Sequence, residues 1–130
     1  MDFPKNLQYS ATHEWVELLD SGRVRIGITD YAQDQLGDLV FVDLPEVGDR
    51  LTAGQSFADV ESVKAVSEVI APVSGTVTAV NTELQSNPEK MNEAPYYAWF
   101  VEVENAAIGE GLMDAAQYEA FCRKESTKEN

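Results

Sequence analysis

Glu61-Ser62-Val63-Lys64-Ala65-Val66-Ser67-Glu68 decides how the rest of the chain is read. The run before it, Ser56-Phe57-Ala58-Asp59-Val60, alternates loosely towards apolar. The run after it, Val69-Ile70-Ala71, leads into Pro72 and then Thr76-Val77-Thr78-Ala79-Val80. Runs this close pair as a hairpin, and tight hairpins use Asn-Gly, Asp-Gly or Gly at the bend. Here the bend carries Val63-Lys64. Turn chemistry missing from an otherwise consistent hairpin points to a functional constraint. A lysine at such a tip is exposed and open to a modifying enzyme. A plain solvated charge is the alternative for one lysine alone, and the rest of the chain has to decide.

Outward from the hairpin, the sequence breaks into many short elements. Residues 12–19 read as a strand, Asp20-Ser21-Gly22 as a turn, and 23–28 as the returning strand. Thr29 reads as an N-cap with Asp30 in the first turn of a helix over 31–36, which Gly37 ends. A strand over 39–44 stops at Pro45, and 47–55 falls into short pieces. Downstream, Pro72-Val73-Ser74-Gly75 reads as a turn, 76–80 as a strand, 81–88 as a capped turn or short helix, and 97–104 as a strand. Met113, Ala116, Tyr118, Phe121 and Cys122 recur at helical spacing, and 126–130 reads as a frayed tail.

Trp15, Phe41, Phe57, Val60, Ile70, Val77, Trp99 and Val101 are the expected core, with turns at Gly22, Gly48, Gly54 and Gly75. Short strands with Gly and Pro turns predict a small β-sandwich or flattened barrel with helices added, one domain over 1–125.

Composition narrows the function. A chain of 130 residues builds one core without staples, and 44% hydrophobic with 25% charged residues is ordinary for a globular protein. No apolar run reaches membrane-span length, and the N-terminus has neither a signal core nor an Arg-rich leader. The expectation is a cytoplasmic bacterial protein or a processed mitochondrial-matrix one, with no membrane partner. The single cysteine, Cys122, excludes a disulfide framework and reads as buried and inert. A net charge of -14 without basic clusters argues against nucleic acid. It fits either solubility alone or steering towards basic docking faces.

The Lys64 segment, with Ala71-Pro72-Val73-Ser74-Gly75 downstream, resembles the lipoyl-attachment site of the H proteins of the glycine cleavage system. Further blocks follow in the family's order: Thr12-His13-Glu14-Trp15, Gly27-Ile28-Thr29 with Ala32-Gln33, Leu36-Gly37-Asp38-Leu39-Val40-Phe41-Val42, and Leu44-Pro45-Glu46-Val47-Gly48. The likeness runs from about Tyr9 to Cys122. Two stretches depart: where the family typically has Pro-Tyr-Gly-x-Gly-Trp, this chain has Pro95-Tyr96-Tyr97-Ala98-Trp99, and Glu89-Lys90-Met91-Asn92 before it differs from the usual Pro-x-Leu-x-Asn form. Tyr and Ala adopt positive φ less cheaply than Gly, so this loop is expected to bend differently.

The resemblance implies a barrel-sandwich hybrid, like a lipoyl domain, with lipoic acid in amide linkage to Lys64 at a hairpin tip. Such a protein is a monomeric carrier and not an enzyme. It takes an aminomethyl group from glycine decarboxylase (P protein) to the tetrahydrofolate-dependent aminomethyltransferase (T protein), then the dithiol to dihydrolipoyl dehydrogenase (L protein). Lipoyl-attaching enzymes are further partners. Glu61 is either a recognition mark for them or a solvated charge, and Ser62, Val63 and Ala65 read as turn geometry. A carboxylate near the arm would hold a cationic cargo amine, which nominates Glu14, Thr12 and Glu68; a surface Glu beside a core Trp15 is the competing reading. No metal site is expected.

Four rivals remain. Biotin-carrier domains typically place methionine on both sides of the lysine, where this chain has Val63 and Ala65. A lipoyl domain of a 2-oxoacid dehydrogenase would be smaller and tethered by a linker. An H-like carrier for another pathway, or an unlipoylated adaptor, keeps the fold and changes the client.

Overall fold

The computed structural model describes residues 1–128. Nine strands form two sheets. β1 (Gln8–Tyr9), β2 (Glu14–Leu18), β3 (Val24–Ile28), β9 (Val101–Ile108), β8 (Val73–Val80) and β5 (Arg50–Leu51) lie in that spatial order in the larger sheet. β4 (Leu39–Asp43), β6 (Ser56–Ser62) and β7 (Val66–Ile70) make the smaller one. All the pairings are antiparallel. The two ladders stay separate and share one core, in which Val42, Val60 and Val69 of the small sheet meet Val16, Ile26, Val77 and Val103 of the large one. This is the mainly β sandwich expected, without barrel closure among the described residues.

Among the described residues four α-helices accompany the sheets: α1 (Asp30–Leu36), α2 (Glu83–Ser86), α3 (Lys90–Glu93) and α4 (Ala115–Lys128). α1 begins as its sequence requires, with Thr29 Oγ accepting the Ala32 N–H, and ends at Gly37 with φ 84°. A second apolar cluster of Leu7, Tyr9, Trp15, Tyr31, Tyr118 and Cys122 fastens α4 to the first strands. Tyr9 and Tyr118 stack there at 4.6 Å. Of the expected tail at 126–130, residues 126–128 continue α4, and 129–130 lie outside the described residues. Among the described residues no helix is long and apolar enough to cross a membrane, and no group of His, Cys, Asp and Glu is placed to hold a metal.

Three expectations need correction. Gly75 is no turn: it sits inside β8 at a bulge, where a Cβ would lie 2.6 Å from the Glu104 carbonyl oxygen. The strand predicted over 97–104 starts later and runs longer, at Val101–Ile108. Tyr97 and Ala98 instead close a turn, both donating N–H to the Ala94 carbonyl. Neither residue takes a positive φ, so this loop does without the two glycines. Phe41 is half-exposed because a register shift between Leu39 and Phe41 turns both Val40 and Phe41 outward.

Candidate functional site

The Lys64 hairpin solves its turn problem with a side chain. Glu61 pairs with Val66, and the Ser62 N–H donates to the Ala65 carbonyl at 2.8 Å, which leaves Val63-Lys64 as a two-residue loop. Ser62 Oγ accepts the N–H of Lys64 at 3.2 Å and of Ala65 at 3.1 Å, and donates to the Ala65 carbonyl. One buried hydroxyl therefore supplies the local bonding that a glycine turn would obtain from backbone alone. The third tip amide, Val63 N–H, donates to the Asp38 carbonyl at 3.0 Å, tying the tip to the loop between α1 and β4. The tip amides of Val63, Lys64 and Ala65 are thus all bonded while the Lys64 side chain is exposed, and its ammonium makes no ion pair among the described residues.

Around the lysine the sheet surface changes character in rows. Phe41, Glu61 and Val66 stand in one cross-strand row, and exposed Val63 adds to it. The next row is Asp43, Asp59 and Glu68, three carboxylates side by side. Like charges directly opposite one another oppose folding. The row lies on the face that carries Glu61.

Glu14 is the second centre, and it is no surface residue. It is 2% exposed at the start of β2. Ser10 Oγ donates to its Oε1 at 2.7 Å, Thr12 Oγ1 donates to the same oxygen, and the Ile70 N–H reaches Oε2 at 3.2 Å. Burial outweighs these bonds and pushes the carboxyl up to about 7. Ser10, Thr12 and Ile70 also line a cleft of about 490 Å³ with Gly54, Pro72 and Leu112, so the acid lies beneath its wall. Thr12 thus bonds Glu14, and Glu68 stands with Asp43 and Asp59 in the acidic row.

The segment that presents Glu14 is strained and held from far away. His13 has φ 74°, a left-handed conformation that costs a non-glycine residue about 1 kcal/mol. Its N–H donates to the Ser10 carbonyl, and its own carbonyl accepts the Thr29 N–H. Its Nδ1 lies 2.8 Å from the Tyr118 hydroxyl, which is 2.6 Å from Thr29 Oγ1. Burial lowers the His13 pKa, which keeps the imidazole neutral near pH 7. Sequence reasoning missed Ser10, although Ser10, Thr12 and Glu14 alternate along the chain and the spacing was there to read. It had no signal for Tyr118, whose role depends on a contact 105 positions away.

A further cleft, of about 500 Å³, lies between the N-terminal segment and the 93–97 loop, lined by Asp2, Asp30, Glu93, Tyr96 and Tyr97 among others. It contains none of the residues of the two centres, so its size does not bear on them.

Over nearly its whole length the chain is similar to known proteins. Residues 7–125 match the family model described as Glycine cleavage H-protein. A glycine cleavage system H protein from Acidobacterium capsulatum is 52% identical over 128 residues, covering 97% of this chain and 98% of that one. One from Anoxybacillus flavithermus is 53% identical over 128 residues, covering 96% of this chain and all of that one. A crystal structure of a glycine cleavage system H protein from Mycobacterium marinum superposes with a TM-score of 0.85 at 43% identity, covering 90% of this chain and 96% of the other.

Proposed function

The chain belongs to the glycine cleavage H-protein family, and from that premise we propose that it carries lipoic acid as an amide on Lys64. The observation that carries this reading is the tip itself, where bonded amides hold a lysine whose side chain makes no ion pair among the described residues. Lys64 offers its amine to an activated lipoyl carboxyl; the activating group leaves and a proton passes to solvent. Tethering replaces diffusion between enzymes by a high local concentration. When bound, the lipoyl group supplies a disulfide that accepts an aminomethyl unit from glycine decarboxylase, yields it to the aminomethyltransferase, and is regenerated from the dithiol by dihydrolipoyl dehydrogenase.

The protein's own residues position and shelter. Ser62 and the Asp38 carbonyl fix the tip. Glu14, held by Ser10, Thr12 and Ile70, offers a dehydrated carboxylate beside a cleft, where a cargo ammonium would bind more strongly than in water. Such a cation would also draw the carboxyl to its ionised form, since an opposite charge lowers a carboxyl pKa. Glu61 and the Asp43, Asp59 and Glu68 row offer acidic marks to enzymes with basic docking faces. The setting is a bacterial cytoplasm, in line with the bacterial relatives.

The test is a reconstituted glycine cleavage assay with wild-type protein and Lys64→Arg, both first treated with a lipoyl-attaching enzyme. The reading expects carbon dioxide release from glycine with wild type and a complete loss with the variant. Activity that survives Lys64→Arg, or a modified wild type that never supports the reaction, would refute it.

A further inference from the structure

We infer that Asn92 is a positioning residue for the lysine tip, acting from α3 through the loop at 37–39. Its amide uses three of its bonding positions on this one loop and its helix. Oδ1 accepts the Leu39 N–H at 2.9 Å, while Nδ2 donates to the Gly37 carbonyl and to Gln33 Oε1, both at 2.9 Å. Gln33 is itself braced, with Nε2 donating to Asp30 Oδ1 at 2.8 Å. Between the two residues that Asn92 grips lies Asp38, whose carbonyl accepts the Val63 N–H. Leu39 is also the register partner of Ser62, the residue that builds the turn.

Gly37 adds a second contact to the same platform. With φ 84° it needs glycine, and a Cβ placed there would lie 3.6 Å from Lys64 Cε. The lysine stem therefore passes close to Gly37, whose carbonyl Asn92 holds. Ser62 fixes the shape of the tip from within the hairpin. Asn92 fixes where the tip stands on the body of the protein.

The consequence is specific. An enzyme that modifies Lys64 selects molecules whose tip is in the competent position, and its apparent affinity falls with the fraction so placed. Losing Asn92 should therefore raise KM for this protein as substrate and leave kcat nearly unchanged.

The experiment combines amide hydrogen exchange with attachment kinetics on full-length wild type, Asn92→Ala and Gln33→Ala, using purified lipoyl-attaching enzyme, lipoate and ATP. In Asn92→Ala the Val63 amide should exchange about tenfold faster, as expected when one buried hydrogen-bond network is lost, with the Val60 amide inside β6 unchanged. KM should rise by about the same factor, with kcat within about twofold. Gln33→Ala, which leaves Asn92 in place but removes its brace and the bond to Asp30, should move both quantities the same way by about threefold. It keeps the inference open to refutation if Asn92→Ala fails to fold.

Equal acceleration at Val60 and Val63 would make Asn92 a general stabiliser and overturn the inference. So would an unchanged KM, or a fall confined to kcat. The kinetic arm rests on Lys64 being the attachment site. A wild type that is not lipoylated would sink that reading alone, and the exchange ratio would still judge Asn92.

Discussion

The Lys64 tip and the Glu14 turn are both short chain reversals with a charged residue, and they are built in opposite ways. At the tip no residue takes a positive φ, and the bonds come from Ser62 within the hairpin and from Asp38 nearby. At residues 10–14 the chain bends through a left-handed His13, and its support comes from Thr29 and Tyr118. The lysine is exposed, and the glutamate is buried. A residue that other enzymes must reach needs a rigid backbone beneath a free side chain. A carboxylate meant to act out of water needs scaffolding from distant parts of the fold.

The contrast breaks most visibly with pH. Folding raises the Glu14 pKa from about 4.5 to about 7, so the folded chain holds that proton more tightly than the unfolded one. Its contribution to stability is therefore complete below pH 4.5, declines as pH rises, and is lost once pH passes 7. The loss should approach about 3 kcal/mol at most. Glu14→Gln puts a non-titrating amide in place of the carboxyl, so urea unfolding should show it gaining on wild type between pH 5 and pH 8. Parallel profiles would mean that Glu14 ionises normally.

Tyr118→Phe tests the long-range support of the same turn. Removing the hydroxyl shared by His13 and Thr29 should cost about 1–2 kcal/mol in chemical denaturation, and Lys64 should be lipoylated at the wild-type rate. Ser62→Ala is its local counterpart. It should cost about 1 kcal/mol and speed exchange at the Lys64 and Ala65 amides, with the Glu14 titration unmoved. The smallest effect belongs to the acidic row. Asp59→Asn should stabilise by a few tenths of a kcal/mol at low salt, and the gain should vanish near 1 M salt, where the Debye length is about 3 Å.

What the sequence made legible follows the same division. Thr29 as a cap, Gly37 as a stop and the Lys64 hairpin were readable because their reasons lie within a few residues. Gly75 was misread as a turn because its need comes from the approach of the Glu104 carbonyl on a neighbouring strand. The aromatic run at 97–100 has strand composition, yet the Ala94 carbonyl captures its first two amides. Phe41 escaped the core through a bulge that no periodicity records. At the candidate site, the exposed hairpin position of Lys64 was legible. The burial of Glu14, the brace from Tyr118 and the grip of Asn92 were not, because each is a contact between segments far apart in the chain.

The most direct test of the central claim is mass spectrometry of the protein from its native cells, intact and as the peptide spanning Lys64. The account predicts one lipoyl group, on Lys64. An unmodified Lys64 in cells that lipoylate other proteins, or biotin at that position, would contradict it.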